Sequence, residues 1–159
     1  MSIEKVREYL RERALEDRIS EFDVSSATVE LAAIALGTEG ARIAKTISLH
    51  GREGGCVLVV TAGDTKIDNQ KFKSFFGFKP RMLSPDEAIE FTGHAVGGVC
   101  PFALPKGVPV YLDVSLKRFD TVYPAAGSSN SAVRLTPDEL FEASGAESWE
   151  DLCKQRENT

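Results

Sequence analysis

Apolar positions recur at helical spacing at the start of the chain. Ile3, Val6, Leu10, Ala14 and Leu15 fall on one side of a helix. Residues 20–24 (SEFDV) then read as a short strand. A second helix follows: Ser26 or Thr28 caps it, VELAAIAL fills it and Gly37 ends it. ARIAKTISLHG is a strand closed by Gly51. CVLVVTAG is a continuous apolar strand of the kind that is covered on both faces. A helix over residues 68–76 stops at Gly77. Ser84-Pro85-Asp86-Glu87 places an N-cap, a proline at the first position and two acids at the positive dipole end, so a helix runs from there to Gly93. After the glycine-rich loop GHAVGGVCPFALPKG come the strands VPVYLDV, FDTVYPAA and SAVRLT. Thr136-Pro137-Asp138-Glu139 repeats the helix-start signal. Two helices are predicted at the end, one before Gly145 and one containing Trp149 and Leu152.

Strand and helix do not alternate strictly, and several strands are joined by turns too short for a parallel crossover. The pattern predicts an α+β fold: a mixed, largely antiparallel sheet, curved or closed as a barrel, with helices around it. A doubly wound α/β sheet is the alternative. The 159 residues fit one domain, with no repeat or linker.

Composition narrows the function. Hydrophobic residues make up 42% and charged residues 27%, which describes a globular chain rather than a disordered or fibrous one. No apolar run approaches the ~20 residues of a bilayer span. The charged N-terminal segment does not read as a secretory signal. The three cysteines, Cys56, Cys100 and Cys153, are odd in number and form no CxxC, so a reducing cytoplasm is the expected compartment. His50 and His94 are too far apart for a metal-ligand motif, and neither a metal nor another cofactor is expected. Net charge is −5, but the window KIDNQKFKSFFGFKPR (66–81) carries Lys66, Lys71, Lys73, Lys79 and Arg81 against Asp68 alone. Such a patch meets phosphate or is simply a solvated face.

Four groups could carry chemistry. Lys45 shares a strand face with Ile43, Ile47 and Leu49. A lysine there either lines a pocket or reaches past its neighbours to water. Gly93, Gly97 and Gly98, followed by Pro101, permit a loop whose N–H groups cradle an anion or a developing oxyanion; the alternative is a plain connection. The loop is neither a P-loop nor a dinucleotide fingerprint. It also holds His94 and Cys100, which would be a base and a thiol nucleophile, or else core residues. The turn Gly127-Ser128-Ser129-Asn130-Ser131 offers hydroxyl and amide groups to a ligand, or only makes a turn. Asp113, at the end of VPVYLD, contacts a ligand or Lys45, or caps the next turn.

Together, AKTISL, TAGDTKIDNQKF, FTGHAVGGVCPF and VYLDVSLKRFDTVYPAAGSSNSAVRLTPDEL resemble the YbaK/EbsC family, over about residues 25–143 in the family's order. These are free-standing relatives of the editing domain of bacterial prolyl-tRNA synthetase. The resemblance implies a barrel-like mixed sheet and a trans-acting aminoacyl-tRNA deacylase. Its substrate would be the CCA end of a mischarged tRNA, most often proline tRNA carrying a small non-cognate amino acid, with prolyl-tRNA synthetase as a further partner. Lys45 then corresponds to the family's lysine, Gly97 through Pro101 to its G-x-x-x-P loop, and Gly127 through Asn130 to its glycine–serine turn.

On this reading the main-chain N–H groups of Gly97, Gly98, Val99 and Cys100 hold the ester carbonyl, and Lys45 meets the terminal phosphate or ribose. His94, Pro101, Asp113, Gly127, Ser128, Ser129 and Asn130 bind the substrate. An activated ester needs positioning and oxyanion stabilisation more than a strong nucleophile, so a water suffices. Alanine-specific relatives tend to carry asparagine after the lysine, where this chain has Thr46. Some cysteine-specific members carry a charged residue after the glycine–serine turn, where Asn130-Ser131 stands. The amino acid is thus left open. Two other functions fit the residues: a non-catalytic module binding tRNA or a synthetase, and a cysteine hydrolase using Cys100 with His94.

Overall fold

A computed structural model of the chain describes residues 2–156. Helix α1 (Ser2–Arg11) buries Val6 and Leu10, one turn apart on a single face. It stops short of the predicted Leu15, because Ala14 turns to φ 60° and Leu15 folds back to donate to the Leu10 carbonyl at 2.9 Å. Strand β1 (Ile19–Glu21) is shorter than predicted and begins one residue earlier. Thr28, not Ser26, caps helix α2 (Val29–Leu36).

Strands β2 (Ile43–His50) and β3 (Cys56–Ala62) form a long antiparallel hairpin. Every residue of β3 is buried, as its unbroken apolar run requires. Leu58, Val60 and Ala62 face one core cluster, while Val57 and Val59 face a second one around Phe72 and Leu152. Next come β4 (Thr65–Ile67), α3 (Asn69–Phe76) and α4 (Pro85–Thr92), then β5 (Val110–Asp113), β6 (Tyr123–Pro124), β7 (Ser131–Val133) and α5 (Pro137–Ser144). Both predicted helix starts are capping boxes, Ser84 with Glu87 and Thr136 with Glu139.

The predicted last helix is absent. Trp149 lies in β8 (Ser148–Glu150), and β9 (Cys153–Gln155) follows. The helical spacing of Trp149 and Leu152 is a coincidence between two strands. Tertiary pairing decides the matter: β8 lies parallel to β5, and buried Asp113 at the end of β5 accepts the N–H groups of Leu152 (2.8 Å) and Cys153 (3.0 Å).

The central sheet has the order β6-β2-β3-β5-β8, with two-stranded sheets β1-β7 and β4-β9 beside it. The architecture is mixed α+β, as expected. Its longest pairing is antiparallel, while the short pairings of β6 with β2, β5 with β3 and β8 with β5 are parallel. Among the described residues no helix is long and apolar enough to cross a membrane.

Candidate active site

The outer edge of β2 is covered at both ends and open in the middle. At one end Ile43 and Ala44 pair with Tyr123 and Pro124. At the other, the His50 N–H donates to the Arg81 carbonyl (2.8 Å) and the Leu83 N–H to the Ser48 carbonyl (3.0 Å). In an antiparallel strand, alternate residues turn their main-chain groups to the same edge. Thr46 therefore presents its N–H and carbonyl to the gap between those two pairings. A cavity of ≈ 290 Å³ opens there, lined by Lys45, Thr46 and Ile47.

One wall is the start of α2, with Thr28, Val29 and Ala32. Gly97 and Val99 of the glycine loop, with Met82 and Leu83, form another, and Tyr123, Ala125 and Ser131 contribute to the end. Gly97 has φ +95°, and a Cβ on it would lie 3.2 Å from the Ala27 side chain. Glycine thus lets the loop close against the segment before α2. The turn at 127–131 holds that segment too. The Ser129 carbonyl accepts from the Ser26 N–H (2.6 Å), and the Asn130 side chain donates to the Phe22 carbonyl (2.9 Å).

Lys45 is half-buried and lines the cavity, and its ammonium donates to the Thr65 carbonyl. Thr65 is fixed in turn, because its hydroxyl bonds that of Thr61 (2.7 Å), which also reaches Ser115 (3.1 Å). Burial holds the Lys45 pKa below the ordinary lysine value, and the nearby Arg156 guanidinium adds to the effect. Thr46 Oγ1 is buried with no hydrogen-bond partner among the described residues. The cavity lining contains no carboxylate, imidazole or thiol among the described residues. Its chemistry is an ammonium, several hydroxyls, main-chain groups and a largely apolar wall.

The other sequence candidates lie outside this lining. The Gly98 N–H is committed to the Ala95 carbonyl at 2.9 Å, which removes it as an oxyanion donor; Gly98 packs instead against the backbone of Gly127 and Ser128. Cys100 is fully buried in the main core, where burial pushes its thiol up to about 12. His94 is buried as well. Its Nε2 donates to the Phe102 carbonyl (2.8 Å), since a carbonyl only accepts, and Nδ1 is left to accept from the Ser2 hydroxyl. The nitrogen 3.6 Å from the Cys100 sulfur therefore carries the hydrogen and cannot take a proton from the thiol. The pair is a packing arrangement, and the cysteine-hydrolase reading falls.

Pro101 is buried beside Cys100. Asp113 holds the main chain, with Oδ2 accepting from the Ser115 N–H at 3.0 Å. Ser128 is used within its own turn, bonding Asn130 (2.9 Å) and Ser131 (2.6 Å). The wall contributed by α2, Met82, Leu83 and Tyr123 carries no local sequence signal. The one available hint is the apolar run Leu31–Leu36, which leaves Glu30 as the only charged residue of α2.

Residues 23–143 match the family model of the aminoacyl-tRNA editing domain. The chain belongs to that family. It is 54% identical over 157 residues to the uncharacterized protein YwhH of Bacillus subtilis (strain 168), covering 99% of this chain and 100% of that one. It is 27% identical over 129 residues to EbsC of Enterococcus faecalis (strain ATCC 700802 / V583), provisionally named a Cys-tRNA(Pro)/Cys-tRNA(Cys) deacylase, covering 80% of this chain and 79% of EbsC. A crystal structure provisionally described as a trans-editing enzyme for prolyl tRNA synthetase superposes with a TM-score of 0.86 at 32% identity, covering 96% of this chain and 97% of the other. The general class is thus an aminoacyl-tRNA editing protein of the YbaK/EbsC type. Among the described residues no group of three or more His, Cys, Asp or Glu side chains is placed to hold a metal ion.

Proposed function

We propose that the chain is a trans-acting deacylase that hydrolyses the ester of a mischarged tRNA, with proline tRNA carrying a small non-cognate amino acid as its substrate. The observation that carries this reading is the cavity at the open edge of β2, which half-buried Lys45, Gly97 and Val99 line together. The names of EbsC and of the trans-editing relative point to the same substrate class. The volume of ≈ 290 Å³ lies at the small end for ligand sites, which suits a short aminoacyl group.

Lys45 binds the terminal phosphate or ribose of the CCA end, and the N–H groups of Gly97 and Val99 face the ester carbonyl. A water oxygen attacks the carbonyl carbon, negative charge develops on the carbonyl oxygen, and the ribose oxygen leaves with a proton from the water. No lining side chain acts as the base, so the rate enhancement comes from positioning and oxyanion stabilisation, with a ribose hydroxyl of the substrate available to relay the proton. The reaction as written uses no cofactor.

The test is a deacylation screen with proline tRNA charged separately with cysteine, alanine, serine, threonine and proline, beside Lys45→Ala. Selective hydrolysis of one mischarged species, lost in a folded Lys45→Ala, is expected and identifies the amino acid. Full turnover by that variant removes Lys45 from the mechanism. No turnover by the wild type on any species makes the chain a binding module.

A further inference from the structure

The basic window of the sequence is not one patch. Lys71 is paired with Asp151 (2.9 Å), while Lys66 and Lys73 lie exposed on β4 and α3. Lys79 and Arg81 come together with Arg52, from the β2–β3 turn, around a concavity of ≈ 270 Å³ that His50 and Phe78 complete. No carboxylate forms an ion pair with Arg52, Lys79 or Arg81 among the described residues. Glu87 is held by the Ser84 N–H (2.8 Å) and by His50 (3.3 Å), and it also feels the charge of Arg81. Arg52 is pre-positioned: it donates to the Phe76 carbonyl (2.7 Å) and lies 5.6 Å from the centre of the Phe78 ring. Three cations around one hollow, none of them in an ion pair among the described residues and only Arg81 within electrostatic reach of Glu87, in a chain of net charge −5, form a site for an anion.

Both sites border β2. Lys45 lines the cavity, and His50, five positions further on with its side chain on the opposite face of the strand, lines the hollow about 16 Å along it. Residues 81–83 pair along the same edge of β2 and border both sites. We infer that the Arg52–Lys79–Arg81 hollow binds backbone phosphates of the single-stranded 3′ end, a few nucleotides upstream of the residue held in the Lys45 cavity. The inference rests on the deacylase reading for the direction of the strand, but its test does not use turnover.

The test is fluorescence anisotropy with a labelled, uncharged single-stranded RNA of eight nucleotides ending in CCA, across a series of salt concentrations. Lys79→Ala/Arg81→Ala is compared with Lys66→Ala/Lys73→Ala, which makes the same charge change outside the hollow. All four side chains are exposed, so both variants fold. The Lys79/Arg81 variant is expected to bind roughly five- to tenfold more weakly at low salt. Its slope of log affinity against log salt falls by about 1.4, since each lost single-strand phosphate contact contributes about 0.7. The Lys66/Lys73 variant changes affinity less than twofold. Equal losses in both variants mean a diffuse charge effect and overturn the inference, as does an unchanged slope in the Lys79/Arg81 variant. A protein that binds RNA in this way but hydrolyses no ester keeps the hollow and loses the deacylase reading.

Discussion

Gly98 and Gly127 meet backbone to backbone. A Cβ placed on Gly98 would lie 2.8 Å from the main-chain carbon of Gly127 and from the amide nitrogen of Ser128. Two stretches that look like separate ligand-binding motifs in the sequence are one packed unit. Each lends residues to the same cavity, Gly97 and Val99 from one and Ser131 from the other. Gly98 is thus part of the frame that sets the position of its neighbours.

Gly98→Ala forces two main-chain segments apart, because no flexible side chain is there to yield. Overpacking of this kind costs about 1–3 kcal/mol. The expected result is a lowered unfolding midpoint in chemical denaturation, with a loss of deacylation in protein that is still folded. An unchanged midpoint would show that the two segments are not rigidly seated.

Cys100 will be the slow thiol. It is wholly buried and its pKa is pushed up to about 12, so almost no thiolate is present at neutral pH. Iodoacetamide at pH 8, followed by mass spectrometry, is expected to leave Cys100 unmodified in the native protein and to label it fully in denaturant. Rapid labelling of the native state would restore it as a nucleophile.

What the sequence revealed and what it hid divide along contact range. The capping boxes at Ser84 and Thr136 are local hydrogen-bond patterns, and both helices start where those residues stand. The all-apolar β3 was equally legible, because burial on two faces leaves no polar position. Lys45 was identified as an anomaly on an apolar strand face. The walls opposite it were not, because Val29, Leu83 and Tyr123 reach the cavity through folding over long sequence distances. The same limit produced the false last helix. Trp149 and Leu152 have helical spacing, but the pairing of β8 with β5, of β9 with β4 and the carboxylate of Asp113, some forty residues earlier, hold this stretch extended. Asp113 caps the next turn through the Ser115 N–H, a role the sequence offers, but its other partners, the N–H groups of Leu152 and Cys153, are invisible in the linear order.

His94 couples stability to acid. Burial, with a smaller contribution from Lys5, holds its pKa below the ordinary histidine value, although the bond to the Phe102 carbonyl opposes this. As pH falls below about 6.5 the unfolded chain takes up a proton that the folded chain refuses, so stability declines until the folded pKa is passed. Between pH 7 and 5 the decline contributed by this group reaches at most about 1.4 kcal/mol per pH unit. His94→Gln can satisfy Phe102 and Ser2 without titrating. It should show a flatter pH dependence of the denaturation midpoint over that interval, whatever its midpoint at pH 7. Parallel curves for wild type and variant would assign the acid sensitivity elsewhere.

Lys45 should set an alkaline limit on ligand binding. Its folded pKa lies below the ordinary lysine value, chiefly through burial, so the ammonium is lost at a lower pH than in the unfolded chain. If the charge holds the terminal phosphate or ribose, affinity for an uncharged CCA trinucleotide falls as pH rises through that lowered pKa, before an exposed lysine would titrate. Lys45→Arg keeps its charge throughout and should lose this limb, while Lys45→Ala should bind weakly and without pH dependence over the same range. Stability moves in the opposite sense. Below the folded pKa the fold bears the cost of a desolvated charge, which is relieved as pH rises toward the unfolded value. Lys45→Met should therefore be more stable than wild type at neutral pH, by a margin that shrinks in alkali. Trinucleotide titrations and denaturation curves at pH 7, 8.5 and 10 measure both. A Lys45→Met protein that is no more stable, together with wild-type binding that does not change with pH, would place the ammonium in open water.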